Sequence, residues 1–215
     1  MISGSEEPLI KPSHRRKPVS SRCLAAFVLS VVVACQTAAA DTATPEWDLK
    51  ELMQSLAQVK TAKGKFVELK HLNILSRPLE FSGTLIYTAP GRLEKNTLLP
   101  KPESLVLDED KLTIENKVKN QRRTLVLQDY PVIWAFVESI RSTLAGDLQT
   151  LKRFYNVSLA GPVGDWRLTL KPSEPGMQAV VSEIRIRGSG NWVGSVEVIE
   201  AEGDRSVMTV VPDAP

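Results

Sequence analysis

The segment from Tyr130 to Gly146 carries apolar residues at a helical spacing. Pro131 suits the first turn of a helix, and Gly146 suits a left-handed cap at its end. The main apolar stripe consists of Ile133, Phe136, Val137, Ile140 and Leu144. Residues 132–137 are all apolar, so the first turns need cover on more than one face. The pattern predicts a helix that either seals the protein's own core or forms a lid over the concave side of a curved sheet.

Short segments that alternate apolar and polar residues flank this helix on both sides, as half-buried strands do. Six precede it, at residues 65–71, 81–88, 92–98, 104–107, 111–117 and 122–128. Five follow it, at residues 155–159, 165–170, 180–187, 192–198 and 206–211. Because short turns join most neighbours, the sequence predicts an antiparallel meander of about eleven strands. Such a sheet must curl or close to protect its edges and its apolar face.

Two further helices are predicted. Before the first strand, Thr44 is a candidate N-cap, Pro45 a first-turn proline and Gly64 a C-terminal cap. The apolar stripe of this helix consists of Leu49, Leu52, Met53, Leu56 and Val59. After the lid helix, Asp147 is the candidate N-cap of a short helix that ends at Arg153. The sequence therefore predicts a mainly β protein of the α+β type with three helices.

The first forty residues have the composition of a secretory signal peptide. A basic segment is followed by an apolar run over residues 23–34 and by small residues at 37–40. Cleavage after Ala40 predicts a single mature domain over residues 41–215 in the periplasm. The segment that ends at Cys35 also resembles a lipobox, in which the cysteine is acylated and becomes the first mature residue. That alternative predicts a lipid-anchored protein.

Charge and cysteine content narrow the functional classes. The full chain has 27 Lys+Arg and 25 Asp+Glu, and residues 1–40 contain five and two of these, so the mature chain is left with 22 against 23. A net charge of −1 gives no reason to expect nucleic acid as a partner. Both cysteines lie in residues 1–40, so the mature domain has no disulfide and no thiol nucleophile.

No catalytic or metal-binding pattern is present in the mature sequence. His71 is its only histidine, and one histidine without cysteine makes no zinc or iron site. The acidic run Asp108–Asp110 is typical of a solvated turn, because the other ligands of a calcium loop are missing. Nucleophile elbows, phosphate loops and dinucleotide motifs are absent from the sequence. We expect no cofactor, no metal and no enzymatic activity.

The order of these elements, together with four stretches of sequence, resembles the LolA-like family of periplasmic lipoprotein carriers. The stretches are the helical stripe over 48–59, KFVE at 65–68, SGTLIYTAP at 82–90 and LVLD at 105–108. The resemblance implies an incomplete β-barrel whose concave apolar face is covered by helices, with acyl chains between sheet and helices. It also implies that cargo comes from an inner-membrane transporter and passes to an outer-membrane acceptor.

One position departs from the pattern of the family. Typical members have an arginine directly before the proline that ends the strand at 82–90, and this arginine takes part in handing cargo on. Here that position is Ala89, and the nearby Arg92 lies two residues beyond Pro90. The departure favours a divergent branch that serves other acylated or lipidic cargo.

We predict a lipid-binding cavity lined by apolar residues from the early strand, the lid and the late strands. These candidates are Phe81, Leu85, Tyr87, Ile133, Trp134, Phe136, Val137, Ile140, Leu168, Ile184 and Val196. Burying an acyl chain there would be favourable by about 0.8 kcal/mol per methylene. Each candidate, taken alone, is more typical of ordinary core.

Three functional hypotheses follow. The first is a monomeric, non-enzymatic periplasmic carrier of acylated lipoproteins or related lipids, with an outer-membrane acceptor as its lipid-anchored variant if Cys35 is acylated. The second is a regulatory module that senses lipid or lipoprotein and binds a membrane protein. The third, a lipid hydrolase or transferase, has the least support because no catalytic constellation is visible.

Overall fold

The computed structural model describes residues 47–116 and 118–213. The predicted signal peptide, Cys35 and the Thr44 cap lie outside these residues. Within them, eleven antiparallel strands form one curved, unclosed sheet, which confirms the predicted class. The strands are β1 (Thr61–His71), β2 (Leu79–Thr88), β3 (Arg92–Leu99), β4 (Glu103–Asp108), β5 (Lys111–Asn116), β6 (Gln121–Val126), β7 (Tyr155–Ala160), β8 (Trp166–Pro172), β9 (Val181–Ser189), β10 (Trp192–Glu200) and β11 (Arg205–Pro212).

The spatial order of the strands is β6-β5-β4-β3-β2-β1-β11-β10-β9-β8-β7. The first and last strands therefore pair in the middle of the sheet, and β6 and β7 lie at its two edges. Four α-helices accompany the sheet in the described residues: α1 (Leu49–Ala57), α2 (Pro131–Ala145), α3 (Leu148–Phe154) and the single turn α4 (Pro175–Gln178). The segment that connects the two edge strands contains α2 and α3, so these helices can reach across the concave face.

The lid helix begins and ends where the sequence predicts. Pro131 occupies its first turn, and Gly146 adopts φ 70°, the left-handed conformation that glycine tolerates without strain. The short helix α3 is also confirmed, because the Asp147 side chain accepts a hydrogen bond from the Thr150 amide at 2.9 Å.

The predicted limits of α1 are wrong at both ends. Asp48 caps the helix: its carboxylate accepts from the Glu51 amide at 2.8 Å, and the Glu51 carboxylate accepts from the Asp48 amide at 3.1 Å. This reciprocal capping box fixes the start at Leu49 rather than at Pro45. The helix ends at Ala57, because from Thr61 onward the chain pairs with β2 and, from Gly64, also with β11.

The hydrophobic core fills one half of the concave face. There α1, α2 and α3 pack on strands β7 to β9, and the largest fully buried side chain is Trp166. The Tyr155 hydroxyl donates to the Ala135 carbonyl of α2 at 3.0 Å and thereby ties the helix to an edge strand. Burial raises the pKa of Tyr155 to about 12, so this hydroxyl keeps its proton at neutral pH.

Candidate functional site

The other half of the concave face encloses a cavity of about 640 Å³ beneath α2. This volume lies within the range of about 300–1,000 Å³ that is typical of ligand pockets. The register places alternate residues of β1 to β5, β10 and β11 on this wall. Apolar side chains of the sheet that contribute to it include Leu85, Tyr87, Leu93, Leu105, Leu107, Leu112, Trp192, Val196, Val198, Met208 and Val210.

Helix α2 turns its apolar stripe to the cavity and its small polar residues to the core. The stripe of Ile133, Phe136, Val137, Ile140 and Leu144 lines the cavity and remains half-buried. The fully buried side of the helix instead consists of Ala135, Glu138, Ser139, Ser142 and Thr143. This arrangement reverses the usual amphipathic helix, which buries its apolar face.

Two hydrogen bonds explain how α2 tolerates polar residues in the core. The Ser139 hydroxyl donates to the Phe136 carbonyl at 2.6 Å, and the Thr143 hydroxyl donates to the Ser139 carbonyl at 2.6 Å. Because these hydroxyls are satisfied within the helix, their burial is not strongly penalised. The whole apolar stripe lines the cavity, and Phe136 and Ile140 of the stripe also pack against the core.

The structure brings together seven of the eleven predicted site residues around the cavity. They are Leu85, Tyr87, Ile133, Phe136, Val137, Ile140 and Val196. Leu168 and Ile184 lie on the same face of the sheet but are completely buried in the core half. Trp134 lies beside Phe154, with ring centroids 5.8 Å apart, and Phe81 lines a neighbouring polar pocket.

Several lining residues were missed by sequence reasoning. Leu93 lies between two charged residues on β3, but Leu105 and Leu107 flank the apolar Val106 on β4, so the pattern does not tell which face is concave. Met208 and Val210 reach the cavity because β11 pairs with β1. A strand pairing between the two ends of the domain has no local signal in the sequence.

Arg141 connects the lid helix to the turns on the far side of the cavity. Its guanidinium donates to the Glu109 carbonyl, in the turn between β4 and β5, at 2.9 Å. The side chain also lies against Gly91, where a Cβ atom would come within 2.7 Å of Arg141 Cδ. Glu138, only 2% exposed, pairs with the same guanidinium and accepts from Trp134 Nε1 at 3.0 Å. Through Arg141, α2 is attached to the turns that follow β2 and β4.

We expect the double variant Glu138→Gln/Arg141→Met to open α2 more often. The change removes a charge-assisted bond to Glu109, and the glutamine avoids an unpaired buried carboxylate. Amide exchange in α2 and the association rate of a fluorescent fatty acid should each rise about tenfold. Glu138→Gln alone is the matched control, since it leaves the bond from Arg141 to Glu109 in place. Equal rates in both variants would show that Arg141 does not hold the lid.

Charged residues occupy the concave face at the end of β1. Glu68 is only 5% exposed, pairs with Lys95 on β3, and lies 3.6 Å from Lys70 Nζ. The Ser206 hydroxyl of β11 donates to Glu68 Oε1 at 2.7 Å. Burial acts to raise the pKa of the Glu68 carboxyl, but the bonds from Lys95 and Ser206 and the two lysine charges leave it below the usual value of 4.5.

The lowered pKa of Glu68 predicts a contribution to stability that acid removes. A depressed folded-state pKa means that the unfolded chain binds the proton more readily, so the contribution is present above pH 4.5. It should disappear as the pH falls from 4.5 through the lower folded-state pKa. Urea unfolding as a function of pH tests this: Glu68→Gln should flatten the acid limb of the stability curve. An unchanged acid limb would contradict the assignment.

The described residues show neither a metal cluster nor a membrane-spanning helix. Within 47–116 and 118–213, no group of three or more His, Cys, Asp or Glu side chains could hold a metal ion. His71 lies near the end of β1, apart from any such group. None of the helices in these ranges has the length and apolar character needed to cross a bilayer.

A protein-family model described as "Outer membrane lipoprotein carrier protein LolA-like" matches residues 38–214. The chain belongs to this LolA-like family. The resemblance inferred from the sequence is thus confirmed. The LolA-like family is one of binding and carrier proteins, associated with lipids and lipoproteins, and not a family of enzymes.

Solved structures similar to this LolA-like chain are distant in sequence. A LolA superfamily protein from Nitrosomonas europaea shares 7% identity, with a TM-score of 0.42 over 79% of this chain and 96% of that one. The MucA/MucB complex of Pseudomonas aeruginosa gives 13% identity and a TM-score of 0.44 over 79% of this chain and 59% of that one. A conserved protein from Thermus thermophilus shares 9% identity, with a TM-score of 0.47 over 76% of this chain and 84% of that one. A search of curated protein sequences found no match.

Proposed function

We propose that this LolA-like protein is a periplasmic carrier that binds the acyl chains of lipoproteins, or of related lipidic cargo, in the cavity beneath α2. It takes this cargo from the inner membrane and delivers it to the outer membrane. The observation that carries the proposal is the orientation of α2, whose apolar stripe faces a cavity while its polar side is buried. A helix that served only to complete the core would present the opposite face.

The energetics suit reversible transport. Transfer of ten methylenes from water into the cavity would be favourable by about 8 kcal/mol before the costs of association. A gain of about 8 kcal/mol alone corresponds to a Kd of about 1 μM, and the costs of association raise the Kd above that value, so cargo can also leave. The contacts of Arg141 with Glu109 and Gly91 supply a closed state of the lid that opening must disrupt.

We assign the acyl-contacting wall to the seven predicted residues that meet at the cavity. Leu85, Tyr87 and Val196 form its sheet side, and the α2 stripe forms its lid side. All are apolar or aromatic, and the Tyr87 hydroxyl is directed to the Pro90 carbonyl at 3.5 Å. The wall should therefore select acyl chains by length and shape only.

The test is a transfer assay with inner-membrane vesicles that contain radiolabelled lipids and lipoproteins. The purified protein should release an acylated species into the soluble fraction in a one-to-one complex and pass it to outer-membrane vesicles. No release of any acylated species would overturn the proposal. A stable complex with a membrane protein that forms equally without lipid would instead identify a sensing module.

The site of processing decides whether the carrier is free or anchored. The small residues at 37–40 predict a mature protein that begins at Asp41. Mass spectrometry of the mature amino terminus should therefore find an unmodified Asp41. A diacylated Cys35 at the amino terminus would contradict free diffusion and identify an outer-membrane acceptor.

A further inference from the structure

The apolar cavity adjoins a second pocket of about 280 Å³ that has a different chemistry. Four residues line both spaces: Glu68, Lys70, Lys95 and Leu105. The second pocket, which we call the lysine compartment, is lined in addition by Phe81, Thr97, Pro100, Lys101, Glu103 and Asn116. An apolar space that continues into a polar one has the form of a site for an amphiphile.

Three lysines and two glutamates line the lysine compartment, which leaves one positive charge in excess. Glu68 is buried between Lys70 and Lys95, whereas Lys101 lies at the exposed end. Ion pairs with the two carboxylates would need two of the three lysines. The third ammonium group provides donors for a further anion.

Aromatic rings hold two of the lysines on the concave face. Lys95 Nζ lies 4.9 Å from the centroid of the Phe66 ring, and Lys70 Nζ lies 5.3 Å from that of Phe81. Both distances allow a cation–π attraction. Both lysines line the junction of the two spaces; Lys95 is the more buried, and the Lys70 side chain is 43% exposed.

Glu68, Lys70 and Lys95 place charges on a face of the sheet where neighbouring positions are apolar. Neighbouring positions on the same face, such as Leu85, Leu93 and Leu107, are apolar. Charges on the inner face of a sheet are unfavourable for folding unless they are paired or serve a ligand. Glu68, Lys70 and Lys95 are paired with one another on this face, and Lys101 adds a further ammonium group from the exposed turn between β3 and β4.

We propose that the lysine compartment binds the anionic head group of the cargo, a phosphate or a carboxylate, while the acyl chain occupies the cavity beneath α2. This inference rests on the proposed function and specifies its cargo as an anionic amphiphile. Lys70, Lys95 and Lys101 donate to the anion, and Glu68 keeps Lys95 in place. Neutral amphiphiles with the same acyl chain bind less tightly.

Three ligands with the same acyl chain length test the head-group site by competing with a fluorescent fatty acid. Lysophosphatidic acid carries a phosphate, the free fatty acid a carboxylate, and monoacylglycerol a neutral head group. At least one anionic ligand should bind about tenfold more tightly than monoacylglycerol, since charge-assisted hydrogen bonds are worth that much. The tighter of the two anionic ligands identifies the head group.

The variant Lys70→Gln/Lys101→Gln tests whether the lysine compartment causes the preference for an anionic ligand. Both side chains are partly or fully exposed, so the variant should fold, and Lys95 remains to pair with Glu68. It should lose the tenfold preference for the anionic ligand over monoacylglycerol. The matched control is Lys65→Gln/Lys152→Gln, which removes the same charge from exposed positions outside both the cavity and the lysine compartment and should keep the preference.

The outcomes separate this inference from the proposed function. Tight, equal binding of all three ligands would overturn the head-group site and leave the acyl cavity intact. An anionic preference that survives in Lys70→Gln/Lys101→Gln would also overturn it. If no ligand binds, the proposed function itself fails.

Discussion

Val137→Trp should abolish most acyl binding without unfolding the protein. Val137 is half-buried on the cavity side of α2, so an indole there would extend into open space. If the ring displaces about three methylenes of the ligand, the affinity falls by about 2.4 kcal/mol, or roughly fiftyfold. The free energy of unfolding should stay the same or rise, because the indole buries apolar surface in a space that is otherwise empty.

Ala135→Trp is the matched control on the same helix. Ala135 is buried against the core, where added bulk must displace packed neighbours and costs about 1–3 kcal/mol or more. Urea unfolding and titration with a fluorescent fatty acid, applied to both variants, give the two readouts. If Val137→Trp destabilises the protein as much as Ala135→Trp does, α2 does not face a cavity.

Trp166→Ala should cause the largest loss of stability among single substitutions in the sheet. Trp166 is 0% exposed, and its indole nitrogen donates to the Gly190 carbonyl at 2.8 Å. The ring packs so closely on Gly188 that a Cβ atom there would lie 2.3 Å from it. Truncation should lower the free energy of unfolding by about 3–5 kcal/mol. The melting temperature should then fall by roughly 10 °C, since about 2–4 °C accompany each kcal/mol in a domain of this size.

Trp192→Ala is the contrasting variant, because Trp192 lines the cavity and is only half-buried. It should lower acyl affinity and change the melting temperature less than Trp166→Ala. Thermal unfolding and ligand titration of both proteins measure the difference. Equal losses of stability would show that Trp192 belongs to the core in the same way as Trp166.

The local elements of this protein could be predicted because their signals are local. The helical spacing over 130–146, with Pro131 and Gly146 at its ends, is sufficient to define α2. Alternation was sufficient to find the eleven strands. For α1 it failed, since Thr44 and Pro45 make a plausible start and the capping box of Asp48 and Glu51 is the start that the chain uses.

The environment of each face could not be predicted, because periodicity groups residues without stating what covers them. Leu168 and Leu85 share the concave face, yet helices cover Leu168 and the cavity exposes Leu85. The same limit applies to α2, where the buried side is the polar one. The inward position of Glu68 was also hidden, since a charged residue in an alternating strand is usually assigned to the solvent face.

Ala89 stands where typical family members have an arginine, and two other arginines, Arg92 and Arg141, lie near this turn. Arg92 pairs with Glu94 on its own strand β3 and with Asp108 on the neighbouring strand β4. Arg141, on the lid itself, instead reaches the turn that contains Gly91. The arginine side chain that joins α2 to this turn therefore belongs to the helix and not to the strand.

Quenching of Trp192 by a brominated fatty acid tests the central claim most directly, because bromine quenches only fluorophores that it touches. Trp192 lines the cavity, whereas the other three tryptophans, Trp47, Trp134 and Trp166, do not. We predict saturable quenching by bromopalmitate in the wild-type protein and loss of most of that quenching in Trp192→Phe. Absence of quenching in the wild type, or equal quenching in Trp192→Phe, would contradict an acyl chain beneath α2.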